Sequence, residues 1–470
     1  MKKALSFKTV FLLFFALNTS NMFAQSPPVF ISDSLQSILN QSLPAGFTNG
    51  GAVMEVHVPG QWTWNSSTGF AIAGITSGQP QTNAVANDKF RVGSITKMMV
   101  STCILKLQEQ GLLSIEDPIS MHLRSTLVTD TIASSGVVKI RHLLNHTSGI
   151  SNSGDNNSCQ SDVLSNPLGA HSLEDAIFCG ASQGEIFPPE FAWAYSNTNY
   201  SILAMIIENI TGLSYTDYLT QTIITPLGLL NTEIPTTNQI SSSHMGCYWN
   251  IGSWIDLTII NPTTYTGWAD VVSNTSDLVI FMKALRNSEI INSSSLTQMQ
   301  TLYPGTYDYG LGYDFYTLSD VSYTGHYGEV ANTSGLFFAN TSSELAPNGY
   351  YISYNFNVQG ADMINKIDIP VLNFLKTGLF SNGLTSLENE TQSLKVFPNP
   401  ASSKINIATV EKNNVANMIT LFDELGKIVF QEKRIGLTNY SFDCSMFNRG
   451  VYTISIQNES KAEFHKIVLN

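Results

Sequence analysis

The hydrophobic positions of this chain change period several times, and each change predicts an element. Residues 32–43 read as a helix, and residues 51–58 as a strand that turns at Pro59 and Gly60 into a second strand through Trp62 and Trp64. That hairpin is expected at a sheet edge. A longer apolar helix is expected from Ser94 through Ile104, Leu105 and Leu107 to Gly111, followed by an extended turn over Leu113, Ile115, Asp117, Pro118 and Ile119. Residues 140–150 end in a turn at Gly149, residues 201–210 form another apolar helix, and Leu336, Phe337 and Phe338 lie on a strand. From Leu394 the pattern becomes short alternating strands, at Ile405 and Ile407 and again over 451–456, with a hairpin through Glu424, Leu425 and Gly426. Strands at such spacing predict a small β-sandwich, set off by the polar stretch 381–393.

The first apolar run is an export signal rather than a folded element. Lys2, Lys3 and Lys8 precede an apolar run over 10–17 that is too short to anchor in a bilayer, with a cut expected after Ala24. No later stretch is long and apolar enough for a transmembrane helix. The expected organisation is a signal peptide at 1–24, a main domain at 25–380, a linker at 381–394 and a C-terminal sandwich at 395–470.

Composition narrows the class. A chain of 470 residues with 43% hydrophobic residues holds a sizeable core and more than one domain. Its 36 acidic against 23 basic residues give a net charge of −13 with no basic run, which excludes nucleic acid and anionic membrane surfaces as natural partners. Five cysteines in an exported chain leave at least one unpaired, and a bridge between Cys159 and Cys179 is expected. The eight histidines show no zinc-site spacing, so no metal is expected.

The candidate chemistry begins at Ser94 and Lys97. Three residues apart on a first helical turn, they share a face, so the amine lies beside the hydroxyl it can activate. A bare S-x-x-K is expected about once by chance in a chain this rich in serine. This one is unique in the chain, and Gly93 before it lets a second backbone approach. Tyr195 and Asn197 stand just before an apolar helix and can present a phenol and an amide together; a phenolate beside a lysine ammonium is a credible general base. The plainer alternative is that Asn197 only caps the helix, and Tyr248-Trp249-Asn250 has the same spacing. A third candidate is His326-Tyr327-Gly328, with His244-Met245-Gly246 as competitor. His142 and His146 lack a third ligand nearby and read as a hydrogen-bonded structural corner.

In this order the motifs resemble those of the serine β-lactamase and penicillin-recognising hydrolase family, in the branch of D,D-carboxypeptidases, D-aminopeptidases, esterases and class C β-lactamases. The resemblance runs over about 30–379 and includes residues 111–119, the segment 142–149, Ile210-Thr211-Gly212, Pro226-Leu227-Gly228 and Tyr309-Gly310-Leu311-Gly312. It implies an α+β fold, an antiparallel sheet flanked by helices with a helical lobe and a cleft between them, and no cofactor. It further implies Ser94 as nucleophile, Lys97 as its partner, Tyr195 as general base, Asn197 as a substrate ligand, and His326 and Gly328 on the strand lining the cleft. Backbone N–H groups of Ser94 and of a residue just after Gly328 would form the oxyanion hole. Two departures stand out: Pro189-Glu190 where the family often has Pro-Gly, and Ala269-Asp270 where it has Gly-Gly. Glu329 is unusual near the oxyanion position. Where lactam turnover dominates, the family commonly has a lysine at the place of His326, so weaker anchoring of an anionic substrate is expected here.

The C-terminal part is similar to the type IX secretion sorting domain of Bacteroidota, through Val396, Pro398, Asn399 and Pro400, Gly426 to Val429, Gly450 to Tyr452 and the terminal Lys466-Ile467-Val468-Leu469. The implied function is a secreted or surface serine hydrolase, exported through the periplasm, acting through an acyl-enzyme on small D-amino-acid peptides or esters. A β-lactamase acting on lactams is the alternative. A non-catalytic surface binding module is the alternative from another class, and the joint presence of Ser94, Lys97 and Tyr195 argues against it. The expected partners are the small substrate and the export machinery, the latter through the C-terminal domain, with no nucleic acid and no transmembrane anchor.

Overall fold

Residues 51–58 form a strand buried along its whole length, because both of its faces are covered. The computed structural model describes residues 25–44, 46–303 and 308–378 and, in the C-terminal part, 394–397, 401, 404–409, 416–423, 428–435, 440–457 and 462–469. The export signal at 1–24, the linker at 381–393, the motif residues 398–400 and the turn at 424–426 lie outside the described residues.

The described strands of the main sheet are β1 (Gly51–Val58), β2 (Trp62–Ile72), β3 (Thr82–Asn83), β4 (Asp314–Leu318), β5 (Val321–Glu329), β6 (Thr333–Asn340) and β7 (Tyr350–Phe356). They pair antiparallel in the order β3-β2-β1-β7-β6-β5-β4. The first hairpin is therefore not at the edge as expected. β7 returns from late in the chain to pair with β1, Ala52 opposite Phe356, while the two-residue β3 flanks β2. No local pattern carries that long-range pairing.

The principal helices are α1 (Val29–Ser42), α2 (Thr96–Glu109), α3 (Asn157–Ser165), α4 (Leu173–Ala181), α5 (Asn197–Thr211), α6 (Thr275–Arg286) and α7 (Ile369–Thr377). Side chains alternate across the sheet. Met54, Val56, Ile352 and Tyr354 share a core with Leu35 and Leu39 of α1 and Leu372 and Leu375 of α7. Val53, Leu336 and Phe338 face the opposite way, into a core with Met98 and Val100 of α2, Phe281 and Leu285 of α6, and Leu203 and Ile206 of α5. Each such side chain stabilises the fold by about 1.5–3 kcal/mol when fully buried.

Cys159 on α3 and Cys179 on α4 are bridged, as expected. None of the residues of α3 is fully buried; Val163 packs against the small core of Cys247, Leu257, Ile260 and Ala331, and the bridge adds a covalent tie. Closing a loop of 20 residues contributes roughly 3 kcal/mol in the chain-entropy account. Cys103, Cys247 and Cys444 are free and buried.

In the C-terminal part a three-stranded sheet (Leu394–Phe397, Lys404–Thr409, Tyr440–Asp443) and a four-stranded sheet (Ile428–Ile435, Ala416–Phe422, Gly450–Gln457, Ala462–Leu469) are described. Ile405, Ile407 and Phe442 of the first share one core with Ile419, Leu421, Ile454 and Ile456 of the second, a sandwich as the alternation predicts. Among the described residues no helix is long and apolar enough to cross a membrane.

Candidate active site

Two glycines let the turn carrying Ser94 lie against the strand β5. Gly93 has φ +60°, and a Cβ there would fall 2.4 Å from the Glu329 nitrogen. A Cβ on Gly328 would fall 2.0 Å from the Val92 oxygen and 3.0 Å from the Ser94 nitrogen. Only glycine at both positions permits this approach, which brings the Ser94 and Glu329 amides onto facing backbones. Ser334 Oγ bonds the Val92 and Gly328 carbonyls at 2.8 and 3.2 Å, and Asn332 Nδ2 donates to the Arg91 carbonyl at 2.7 Å, fastening the two segments together. The expected helix start is a 3₁₀ turn over Gly93–Ile95 that runs into α2.

Lys97 follows on the first turn of α2 and is fully buried. Its Nζ lies 3.0 Å from Ser94 Oγ, 2.9 Å from Asn197 Oδ1 and 3.1 Å from the Trp268 carbonyl. Burial holds its pKa well below the usual lysine value, with the Asp270 carboxylate opposing that shift. A neutral amine has two hydrogens, which Asn197 and Trp268 accept; its lone pair then faces the Ser94 hydroxyl. Tyr195 donates its phenol hydrogen to Ser94 Oγ at 2.8 Å. Burial pushes that phenol far above its ordinary pKa, so it stays protonated. Burial works against the expected phenolate beside an ammonium on both sides, raising the tyrosine's pKa and lowering the lysine's. Desolvation penalises both charged forms and so favours the neutral phenol and the neutral amine.

Asn197 is the first residue of α5, and Ser196 holds the N-cap position, so Asn197 is no mere cap. Its backbone N–H goes to Asn152 Oδ1 at 2.9 Å while its side chain meets Lys97. The histidine corner is structural, as expected, and lies closer to the chemistry than the sequence suggests. His142 Nδ1 accepts from the Lys139 amide at 3.1 Å. His146 Nδ1 accepts from the Ser196 amide at 3.2 Å, and its ring sits 4.3 Å from that of Tyr195, fixing the phenol's position.

His326 lies on β5 with 4% of its surface exposed. Its Nδ1 faces the Tyr327 carbonyl, which only accepts, so Nδ1 carries the hydrogen and Nε2 accepts from the Tyr309 hydroxyl at 2.8 Å. Burial is the main cause that lowers its pKa to about 3. His326 is a neutral ring with both nitrogens engaged inside the protein. The competing motifs lie elsewhere: Tyr248-Trp249-Asn250 is a strand of the short hairpin with Trp254–Asp256, and His244 Nδ1 bonds the Ser242 carbonyl in an exposed loop.

Both departures have structural roles. Glu190 adopts φ +66°, where glycine is favoured, and its carboxylate pairs with Arg141. Asp270 is buried and accepts from the Gly267 amide at 3.1 Å and the Tyr215 hydroxyl at 3.2 Å, closing the turn that aims the Trp268 carbonyl at Lys97. Burial pushes its carboxyl up to about 7. Trp268, Asp270, Tyr309 and His146 were not singled out as site residues in the sequence. His146, Tyr309 and Asp270 each fall in a segment that carries the family resemblance or departs from it, whereas Trp268 offered no signal.

Comparison with known proteins gives two matched families: "Beta-lactamase" over residues 45–366 and "Secretion system C-terminal sorting domain" over residues 395–470. Penicillin-binding protein 4* of Bacillus subtilis is 28% identical over 266 residues, covering 52% of this chain and 55% of that protein. Protein flp of Staphylococcus aureus is 26% identical over 262 residues, covering 54% and 50%. The chain spans about half the length of the curated relatives it matches. Among solved structures, a D-stereospecific amidohydrolase from Streptomyces sp. superposes with a TM-score of 0.63 at 26% identity, covering 74% of this chain and 99% of that one. A penicillin binding protein from Bacillus halodurans, at 18% identity and a TM-score of 0.58 over 72% and 99% of the two chains, shares the fold.

Proposed function

This chain belongs to the beta-lactamase family of serine hydrolases, and from that membership we propose that it is an exported enzyme cleaving peptides or esters of D-amino acids through an acyl-enzyme on Ser94. The observation that carries this reading is the pair of contacts on one oxygen: Ser94 Oγ is 3.0 Å from Lys97 Nζ and 2.8 Å from the Tyr195 hydroxyl. Lys97 takes the Ser94 proton as Oγ bonds to the substrate carbonyl carbon. Negative charge moves to the carbonyl oxygen, which the Ser94 and Glu329 N–H groups receive; such donors are commonly worth about 3 kcal/mol each in the transition state. The Tyr195 phenol gives its proton to the departing amine or alcohol, and the Lys97 ammonium restores it. Water then releases the acyl group by the same steps in reverse order.

The names of the relatives, penicillin-binding proteins and a D-stereospecific amidohydrolase, support D-amino-acid substrates. His326 ranks them. A lactam carries a carboxylate that a cation would hold, and this ring is neutral with no free nitrogen. A D-alanyl-D-alanine peptide, a short-chain aryl ester and a chromogenic cephalosporin should be assayed in parallel. The ester, which carries no carboxylate, is expected to exceed cephalosporin by at least about tenfold in kcat/KM, or about 1.4 kcal/mol. Cephalosporin as the best substrate would overturn the ranking in favour of a β-lactamase.

The matched sorting domain supports export by the type IX route, with residues 395–470 taking no part in the chemistry. Removing residues 394–470 is expected to leave the activity of the purified protein within about twofold, because substitutions far from a site usually act independently of it. The same truncation should leave the protein inside the producing cell. Normal appearance of the truncated protein at the surface or in the medium, measured by cell fractionation, would refute the sorting role.

A further inference from the structure

A cavity of about 460 Å³ opens beside the reactive centre and takes no part in the bond-making steps above. Its walls are largely apolar: Val163 of α3, Phe178 of α4, Trp249 of the short hairpin, Tyr265, Trp268 and Val330. Tyr265 and Trp268 meet edge to face at 5.0 Å. Trp268 connects the cavity to Lys97, since its carbonyl accepts from Nζ and its ring lies 5.5 Å from that atom. At another side the cavity reaches Glu329, whose amide backs onto Gly93. The space therefore borders the reactive centre at Trp268 and at Glu329.

Its charge has one sign. Asp162, Asp175 and Glu329 line it together with His171, and no lysine or arginine does so among the described residues. Glu329 is the carboxylate nearest the chemistry. Its Oε1 accepts from Thr333 Oγ1 at 3.4 Å and from the Gly360 amide at 3.3 Å, both long contacts, and Oε2 has no hydrogen bond among the described residues. An apolar, aromatic-walled space of this size takes a large side chain, and a few polar groups at its rim fix orientation. The Glu329 amide backs onto the turn carrying Ser94 while its residue lines the cavity, so this one residue joins the reactive centre to the space.

We propose that this cavity receives the acyl side of the substrate, an aminoacyl group with an aromatic or large aliphatic side chain and a free α-ammonium, and that Glu329 pairs with that ammonium. The inference names the substrate class of the site read above and rests on Ser94 as its nucleophile. N-acylated and carboxylate-bearing acyl groups are disfavoured, the first because the charge is lost and the second because the wall repels it.

Calorimetric titration of the full chain with D-tryptophanamide, N-acetyl-D-tryptophanamide and D-alaninamide reads the cavity without requiring turnover. D-tryptophanamide is expected to bind at least about tenfold more tightly than its N-acetyl counterpart, the range of a hydrogen bond to a charged group, and more tightly than D-alaninamide. Glu329→Gln should abolish the preference for the free amine and keep the preference for the larger side chain, while Trp249→Ala should do the opposite. Equal affinity of the free and acetylated amides, binding of neither, or an unchanged preference in Glu329→Gln would overturn the proposal. Fluorophosphonate labelling of Ser94 in a parallel sample tests the nucleophile alone, so that a failure of the cavity and a failure of the acyl-enzyme are told apart.

Discussion

Lys97→Met is expected to lower kcat/KM by at least about a thousandfold, within the range that a positioned general base supplies. Methionine keeps an unbranched apolar stem in a site that is wholly buried, so the fold should persist and the loss should fall on the chemistry. The sign of the pH dependence follows from the lysine's depressed pKa. Below that pKa the amine is protonated, its lone pair is occupied, and it cannot accept the Ser94 proton. Activity should therefore rise with pH through the lowered Lys97 pKa and level off above it. The residual activity of Lys97→Met should lose that rise. Steady-state kinetics from pH 5 to 9 checks both points, and retention of a tenth of the activity by the variant would remove Lys97 from the role of base.

The second large effect is expected at Gly93, which touches no substrate through a side chain. Alanine there meets the Glu329 nitrogen at 2.4 Å and must adopt φ +60°. The backbones of the turn and of β5 have to separate, and the two facing amides separate with them. Loss of one oxyanion donor costs about a hundredfold to a thousandfold in kcat, so Gly93→Ala should lower kcat by at least about a hundredfold with a smaller change in KM. Gly136→Ala, where an added Cβ meets nothing within 4 Å, is the control and should be nearly silent. Wild-type kcat in Gly93→Ala would mean that the facing amides do not hold the developing charge.

The parts of this account that were legible in the sequence are those set by short spacing. Ser94 and Lys97 meet because a separation of three places them on one helical face, and the structure brings their side-chain atoms within 3.0 Å. Tyr195 and Asn197 straddle a helix start, and both reach the same pair. The alternation at Ile405 and Ile407 reports a sandwich core directly. What stayed hidden depends on distant segments. The inner place of β1 is decided by β7, which forms at the other end of the domain. The Trp268 contact is made by a backbone carbonyl, which any residue could supply, and its aim is set by Asp270 through Gly267 and Tyr215. The neutrality of His326 comes from enclosure and from Tyr309 on another segment. The bias on the lysine and tyrosine pair is hidden for the same reason: residue types name the groups, but burial shifts which of them holds the proton more readily.

The most direct test of the central claim is peptide mass spectrometry after brief exposure of the purified protein to a penicillin or a fluorophosphonate. The mass of one adduct is expected on the peptide containing Ser94, and none in Ser94→Ala. Labelling that persists undiminished in Ser94→Ala, or that falls on another peptide of the unmodified protein, would contradict it.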